Sequence, residues 1–116
     1  MISDFEKKYP FEKRLIESQN LKSRYPSRVP IIIYPVDDKQ PKIEKTKFLV
    51  PGDLTFSQFL FTVKKYLECT KEQAIFVFTY DNNLIPSNWL MSELQKNYKK
   101  EDNFVYLFYS LENTFG

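Results

Sequence analysis

The sequence predicts an α+β fold: a four-stranded mixed sheet crossed by one long helix and preceded by two additional amino-terminal helices. Three observations predict it. Apolar, β-prone runs recur at 28–34, 48–50, 74–80 and 104–109. Between the second and third, Phe56, Phe59, Leu60, Val63 and Leu67 fall at helical spacing, the strongest helical pattern in the chain. The first 25 residues are polar, with apolar positions too sparse to fold alone, and are punctuated by Pro10 and Pro26.

The first helix is expected over 4–9, where Pro10 stops it because the residue before proline disfavours helix. A second over 11–23 carries Phe11, Leu15, Ile16 and Leu21 as a narrow apolar stripe, with Glu12, Lys13, Arg14 and Glu17 on a solvated face. The first strand sets Val29, Ile31 and Ile33 on one face and Pro30, Ile32 and Tyr34 on the other. Both faces are apolar, so both need cover, and the amino-terminal helices are the natural second layer.

A polar turn over 35–44 leads into Lys45, Lys47, Phe48, Leu49, Val50 and Pro51, and the pairing with the first strand is most simply an antiparallel hairpin. Pro51 lacks an N–H, and the lysines guard against promiscuous pairing, so this strand fits a sheet edge. Asp53 or Thr55 can cap the long helix over 56–67. The run 74–80 is apolar enough to read as a central strand, and Asp81, Asn82 and Asn83 form a turn before a short extended piece at 84–86. Ser87 or Asn88 can cap a short helix over 90–98 with Leu90, Met91 and Leu94 inward and Trp89 as a packing anchor. A charged turn at 99–103 precedes the last strand. Two hairpins around a crossover helix place the first and last strands side by side and parallel in the centre of the sheet, which is the β-grasp plan of ubiquitin, with the second strand at an edge.

Composition excludes most chemistry. With only Gly52 and Gly116, no glycine-rich phosphate loop can be built. There is no histidine and a single cysteine, Cys69, so Cys/His zinc sites, an internal disulfide and histidine-based nucleophile arrangements are excluded. No metal, no cofactor and no catalytic residues are expected, and the chain is not expected to be an enzyme. No run reaches the length of a membrane span. Charges at Asp4, Glu6, Lys7 and Lys8 argue against a signal peptide, so an intracellular protein is expected. Residues 1–65 carry thirteen Lys/Arg against eight Asp/Glu, and 66–116 carry four against seven, or +5 and −3. That polarity suits acidic partners on the amino-terminal half but is too dilute for nucleic acid.

Pro10-Phe11-Glu12-Lys13-Arg14, Arg24-Tyr25-Pro26-Ser27-Arg28-Val29-Pro30, Lys47-Phe48-Leu49-Val50-Pro51 and Phe115-Gly116 together resemble the autophagy ubiquitin-like modifiers, the family of GABARAP and the microtubule-associated protein light chains. The resemblance runs end to end. It implies a modifier joined through Gly116 to phosphatidylethanolamine, with an activating enzyme, a conjugating enzyme and a processing or deconjugating cysteine protease as partners. It also implies binding of aromatic-x-x-aliphatic peptides by strand addition to the second strand. The implied aromatic pocket is Glu17, Leu21, Pro30, Lys47, Leu49 and Phe104; the aliphatic pocket is Phe48, Val50, Pro51, Leu54 and Phe59; Arg28 and Lys45 face acidic peptide residues. Where the family usually has leucine this chain has Thr62, and Tyr66 replaces an often basic residue, which puts the aliphatic end in question.

The expected organisation is an amino-terminal helical extension (1–25) packed on a ubiquitin-like domain (26–116) whose tail, 111–116, is flexible. The expected role is recruitment of autophagy receptors and machinery to membranes, by a monomer that is cytoplasmic and reaches autophagosomal membranes through a covalent lipid. The rival readings are a modifier joined to protein lysines and a non-conjugated peptide-binding trafficking adaptor.

Overall fold

The structure is a computed structural model and describes residues 2–69 and 73–112. It opens with α1 (Asp4–Lys8) and α2 (Phe11–Arg24), followed by β1 (Arg28–Pro35), β2 (Lys47–Pro51), α3 (Phe56–Lys64), β3 (Ile75–Thr79), α4 (Met91–Tyr98) and β4 (Val105–Leu111). The strands lie in the order β2-β1-β4-β3. β1 pairs antiparallel with β2 and parallel with β4, and β4 pairs antiparallel with β3. This is the ubiquitin-like mixed sheet that the element order predicts, with β2 at an edge.

Each helix start has a local cause. Ser3 opens α1: its Oγ accepts from the Glu6 N–H at 3.2 Å, while the Glu6 carboxylate accepts from the Ser3 N–H at 3.1 Å. Thr55, one of the two residues expected to cap the long helix, forms the same reciprocal box with Gln58. α3 stops at Lys64, three residues before the expected end, because the N–H groups of Lys65, Tyr66 and Leu67 turn back to carbonyls three residues earlier. Leu67 stays buried, bridging to Ile43. The α4 start also differs from expectation. Neither Ser87 nor Asn88 caps it; instead the Leu90 N–H donates to the Glu93 carboxylate at 3.1 Å, and the Leu90 side chain remains exposed. Trp89 packs on the core beside Tyr98, as an anchor would.

The two faces of β1 are buried differently. Val29, Ile31 and Ile33 join Phe48, Val50, Phe59, Val63 and Met91 in the main core beneath α3 and α4. Ile32 joins Phe104, Tyr106 and Phe108 under Phe5 of α1, so the amino-terminal helices do form the second layer. β3 is a correction: it is the far edge strand, not a central one, and Phe76 is 42% exposed. β4, buried along most of its length, lies at the centre beside β1, as the β-grasp plan places it, and runs on to Leu111, where the tail was expected to begin. The remaining tail call, 113–116 with Gly116, lies outside the described residues.

Gly52 ties the β2–α3 corner together. Its N–H donates to the Ser27 carbonyl at 3.0 Å, and its carbonyl accepts from the Ser92 N–H at 2.9 Å. A Cβ here would stand 3.2 Å from both the Ser27 oxygen and the Ser92 Cβ, closer than those neighbours can comfortably accept.

Candidate functional site

The backbone of β2 determines what the edge can offer. The Ile33 N–H donates to the Thr46 carbonyl, so the pair 33/46 is a hydrogen-bonded one. Antiparallel pairs alternate, which makes Phe48 and Val50 the residues bonded inward to Ile31 and Val29. Lys47 and Leu49 are opposite Ile32 and Pro30, and their N–H and C=O groups therefore face away from the sheet. Pro30, which has no N–H, sits at a pair that requires none. The outward Leu49 carbonyl accepts a long 3.4 Å bond from Arg28 Nη1, and Pro51 ends the strand without a donor. Lys47 and Leu49 thus carry an edge with no strand beside it among the described residues, long enough for one short peptide strand.

Beside that edge, α1, α2 and Lys47 enclose a groove of about 530 Å³. Glu17, Leu21 and Lys47, three of the six expected aromatic-pocket residues, line it together with Phe5, Tyr9 and Ile16. Lys47 Nζ lies 2.6 Å from Glu17 Oε1 and 5.0 Å from the Phe5 ring centroid. Leu49 is half-buried on the same sheet face as Lys47. The other two depart from expectation. Phe104 is fully buried and covered edge-on by Phe5 at 5.2 Å, so it supports the groove from beneath. Pro30 is buried and borders a separate cavity between α2 and α4. Phe5, missed in the sequence reading, replaces Phe104 as the aromatic wall. Its signal was an isolated apolar residue in an otherwise charged first helix.

The expected aliphatic pocket is mostly core. Phe48 and Val50 of β2 and Phe59 of α3 are buried between the sheet and the helix, with Phe48 edge-on to Phe59 at 5.6 Å and to Tyr66 at 5.5 Å. Only Pro51 and Leu54 of this group are partly exposed. Lys45 Nζ sits 4.8 Å over the Phe48 ring and 5.6 Å from that of Tyr66, so the site here is a shallow surface with a cation above it. The Thr62 hydroxyl donates to the Gln58 carbonyl of its own helix at 3.5 Å. Arg28 is exposed at the Pro51 end, its guanidinium 5.9 Å from the Tyr25 ring.

A buried polar network fixes the helices that frame the groove. Asp102, 1% exposed, accepts from Arg14 Nε at 2.8 Å, from the Phe104 N–H at 3.0 Å and from the Tyr106 hydroxyl. Arg14 Nη1 also donates to the Tyr9 and Glu6 carbonyls, and Lys100 Nζ lies 2.8 Å from Glu6 Oε2. Burial opposes charge on Arg14, but its hydrogen bond to Asp102 together with the charges of Tyr106, Asp102 and Glu6 outweighs that and raises the guanidinium pKa further. Burial likewise works against the Glu6 carboxylate, yet Lys100 and Ser3 hold its pKa below the usual value. Burial, with the Asp102 hydrogen bond second, pushes the Tyr106 phenol far up, so it stays a donor. Each charge is paired, and these groups are a clamp between α1, α2 and the loop before β4, with no reactive geometry. Among the described residues no cluster of acidic, Cys or His side chains could hold a metal.

The family model described as "Autophagy protein Atg8 ubiquitin like" matches residues 13–116. Autophagy-related protein 8 of Schizosaccharomyces pombe is 44% identical over 117 residues, covering 100% of this chain and 96% of the relative. Among solved structures, Trypanosoma brucei ATG8 superposes with a TM-score of 0.90 at 36% identity and full coverage of both chains. Plasmodium falciparum Atg8, solved with a peptide of P. falciparum Atg3, has a TM-score of 0.84 at 29% identity, covering 94% of this chain and 96% of that one.

Proposed function

The chain belongs to the Atg8 family of ubiquitin-like autophagy proteins, and from that premise we propose that Lys47 and Leu49 carry its peptide-docking edge and Gly116 its point of conjugation. It is a ubiquitin-like modifier that acts by attachment to lipid and by recruitment, not a catalyst. The observation that carries the docking reading is the outward-facing backbone of Lys47 and Leu49 beside the α1–α2 groove. A peptide aromatic enters the groove between Phe5, Leu21 and Lys47, and the aliphatic side chain three residues on rests against Pro51 and Leu54. Arg28, Lys45 and Lys47 select acidic residues around that core. Pro30, Phe48, Val50, Phe59 and Phe104 act from beneath, by setting the shape of the surface.

Gly116 supplies the carboxylate that an activating and a conjugating enzyme transfer to phosphatidylethanolamine. Without a side chain, glycine leaves the acyl carbon open to attack and the tail narrow enough for an enzyme cleft. A cysteine protease exposes that carboxylate in processing or frees it again by cleaving its amide to the lipid. Among the described residues no helix is long and apolar enough to cross a membrane, so attachment of the cytoplasmic form to autophagosomal membrane rests on the lipid. The relative solved with an Atg3 peptide supports docking of a conjugating-enzyme peptide on this chain as well.

Two large buried side chains and strand hydrogen bonds, less the cost of ordering a peptide, place the affinity near micromolar, about −8 kcal/mol. Fluorescence anisotropy with an acidic aromatic-x-x-aliphatic peptide tests the edge. Lys47→Ala with Leu49→Ala is expected to weaken binding by about tenfold or more, since it removes an anchor and a charge together. Unchanged affinity would overturn the assignment. Gly116→Ala is expected to abolish the lipid-modified form in an intact-mass measurement of membrane-bound protein.

A further inference from the structure

The helical face of the sheet is covered unevenly. Phe5 of α1 packs edge-on to Phe104 at 5.2 Å and lies 6.5 Å from the Tyr106 ring, but α1 begins only at Asp4. Beyond it, Tyr34 of β1 and Phe108 of β4 are neighbours in the parallel register and form one side of a groove of about 290 Å³. Phe108 is buried, whereas Tyr34 and Val36 are partly exposed and give the groove an apolar surface. Its rim is acidic. Asp4 comes from the first turn of α1, and Asp37 and Asp38 come from the exposed turn after β1. None of the residues assigned to the β2 docking edge lines this groove.

Three carboxylates against the one ammonium of Lys7 leave the groove at −3 + 1 = −2, although residues 1–65 sum to +5. Local structure uses two of the carboxylates without neutralising them. Asp4 suits the positive end of α1, and the Asp37 carboxylate accepts from the Lys39 N–H at 2.9 Å. Among the described residues none of the three forms an ion pair; the pairs that do form use Glu6, Glu17 and Asp102. Nor are they placed to share a metal ion, since no group of three such side chains among the described residues could hold one. The cation that matches this groove is therefore larger than a metal ion and carries surface that can lie against Tyr34. We propose that the groove receives an arginine side chain from a basic segment of a partner protein, with the guanidinium among the carboxylates and its stem on Tyr34 and Val36. A guanidinium is planar and weakly hydrated, stacks on aromatic rings and can bond two carboxylates at once, which an ammonium does less well. This gives the chain a second docking surface, opposite in sign to the β2 edge with its Arg28, Lys45 and Lys47.

The test titrates the capped tripeptide Gly-Arg-Gly into the full isotope-labelled chain at physiological salt, following backbone amide signals by NMR. Saturable shifts at Asp4, Tyr34, Val36 and Asp38 are expected, with a Kd on the order of 1 mM for a single side chain. The citrulline counterpart, alike in shape but uncharged, is expected to bind about tenfold more weakly, and the lysine counterpart about threefold more weakly. Asp4→Asn with Asp38→Asn is expected to weaken the arginine peptide by about fivefold or more, and the dispersion of the remaining signals shows whether the variant is folded. Asp38→Asn alone, in an exposed turn, is the fallback, with a loss of about twofold. Equal binding of the citrulline or lysine peptide overturns the proposal, as does a folded variant that loses nothing. Shifts that never saturate, or that spread over carboxylates elsewhere on the surface, overturn it in favour of a general charge effect. The β2 edge has its own peptide test, so neither result decides the other.

Discussion

The Lys47 ammonium lies 2.6 Å from Glu17 Oε1 at the groove framed by α1 and α2, and both side chains are about two-fifths exposed. An ion pair of that exposure contributes roughly 0–1 kcal/mol to folding. Under the proposed docking its meaning is competitive: Glu17 holds the cation that an acidic peptide would use. Glu17→Gln is therefore expected to tighten an acidic aromatic-x-x-aliphatic peptide by about twofold to threefold at low salt, an advantage lost at high salt. Thermal stability should barely move. Anisotropy titrations across ionic strength check this, and weaker binding at low salt would show that Glu17 helps the peptide directly.

Asp102 makes the opposite prediction, because it is buried and serves three donors. Asp102→Ala leaves the Arg14 charge and the Tyr106 hydroxyl without their acceptor, at a cost of about 3–5 kcal/mol by the usual range for a broken buried pair. Chemical denaturation measures it. Loosening α1 and α2 should also distort the groove, so peptide affinity falls in the folded fraction even though Asp102 touches no peptide.

The pH dependence follows from Glu6. Lys100 and the Ser3 cap hold its folded pKa below the unfolded value, although burial alone would raise it. Its contribution is therefore complete above the ordinary carboxylate range and is lost as pH falls through the lowered folded value. Acid denaturation curves of the native chain and Glu6→Gln should be apart above the ordinary carboxylate range, with the native chain more stable, and converge as pH falls through the lowered folded value. Equal stability at neutral pH would show that the Lys100 contact is inconsequential. At the other extreme, burial pushes the Tyr109 phenol up to about 12. Ionised more readily when unfolded, it lowers stability between about pH 10 and 12, and Tyr109→Phe should flatten that decline.

How much of this was legible in the sequence depends on the range of the cause. The β2 edge could be read because its signals are local: Pro51 lacks a donor, and Lys45 and Lys47 precede an apolar run. β3 was misplaced because Ile75, Phe76, Val77 and Phe78 are as apolar as a central strand. Its position is decided by β4 pairing with both β1 and β3, a long-range choice that composition does not encode. Residue-by-residue likeness pointed to β2, which is an edge strand, but could not show that Phe104 and Phe59 are completely buried, or that Phe5 forms the groove wall. Asp102 left no signal at all: its partner Arg14 is 88 residues away, and each looks like an ordinary surface charge.

Gly52 offers a packing test of the corner between β2 and α3. Gly52→Ala brings a methyl within 3.2 Å of the Ser27 carbonyl oxygen and the Ser92 Cβ. Both are backbone-anchored, so relief requires the corner to open, at a cost of about 1–3 kcal/mol. A lowered denaturation midpoint with an unchanged slope is the expected result. Pro51 and Leu54 should shift with the corner, so contacts with the peptide's aliphatic residue should weaken more than those with its aromatic one.

Thr62 tests the aliphatic end itself. Its half-buried hydroxyl bonds only to the Gln58 carbonyl of the same helix, an interaction that leaving the position apolar would not strand. On the α3 surface, one turn before Tyr66, a leucine would add hydrocarbon at the aliphatic end of the proposed docking edge. At about 25 cal/mol per Å² of apolar surface removed from water, a few tens of Å² more contact is worth on the order of 1 kcal/mol, or about fivefold in affinity. Thr62→Leu is accordingly expected to favour peptides ending in leucine over alanine analogues more strongly than the native chain does. The decisive quantity is the ratio of the two affinities, because a general change in stability would move both peptides alike. An unaltered ratio would mean that the aliphatic side chain rests on Pro51 and Leu54 alone, with α3 contributing nothing to its selection.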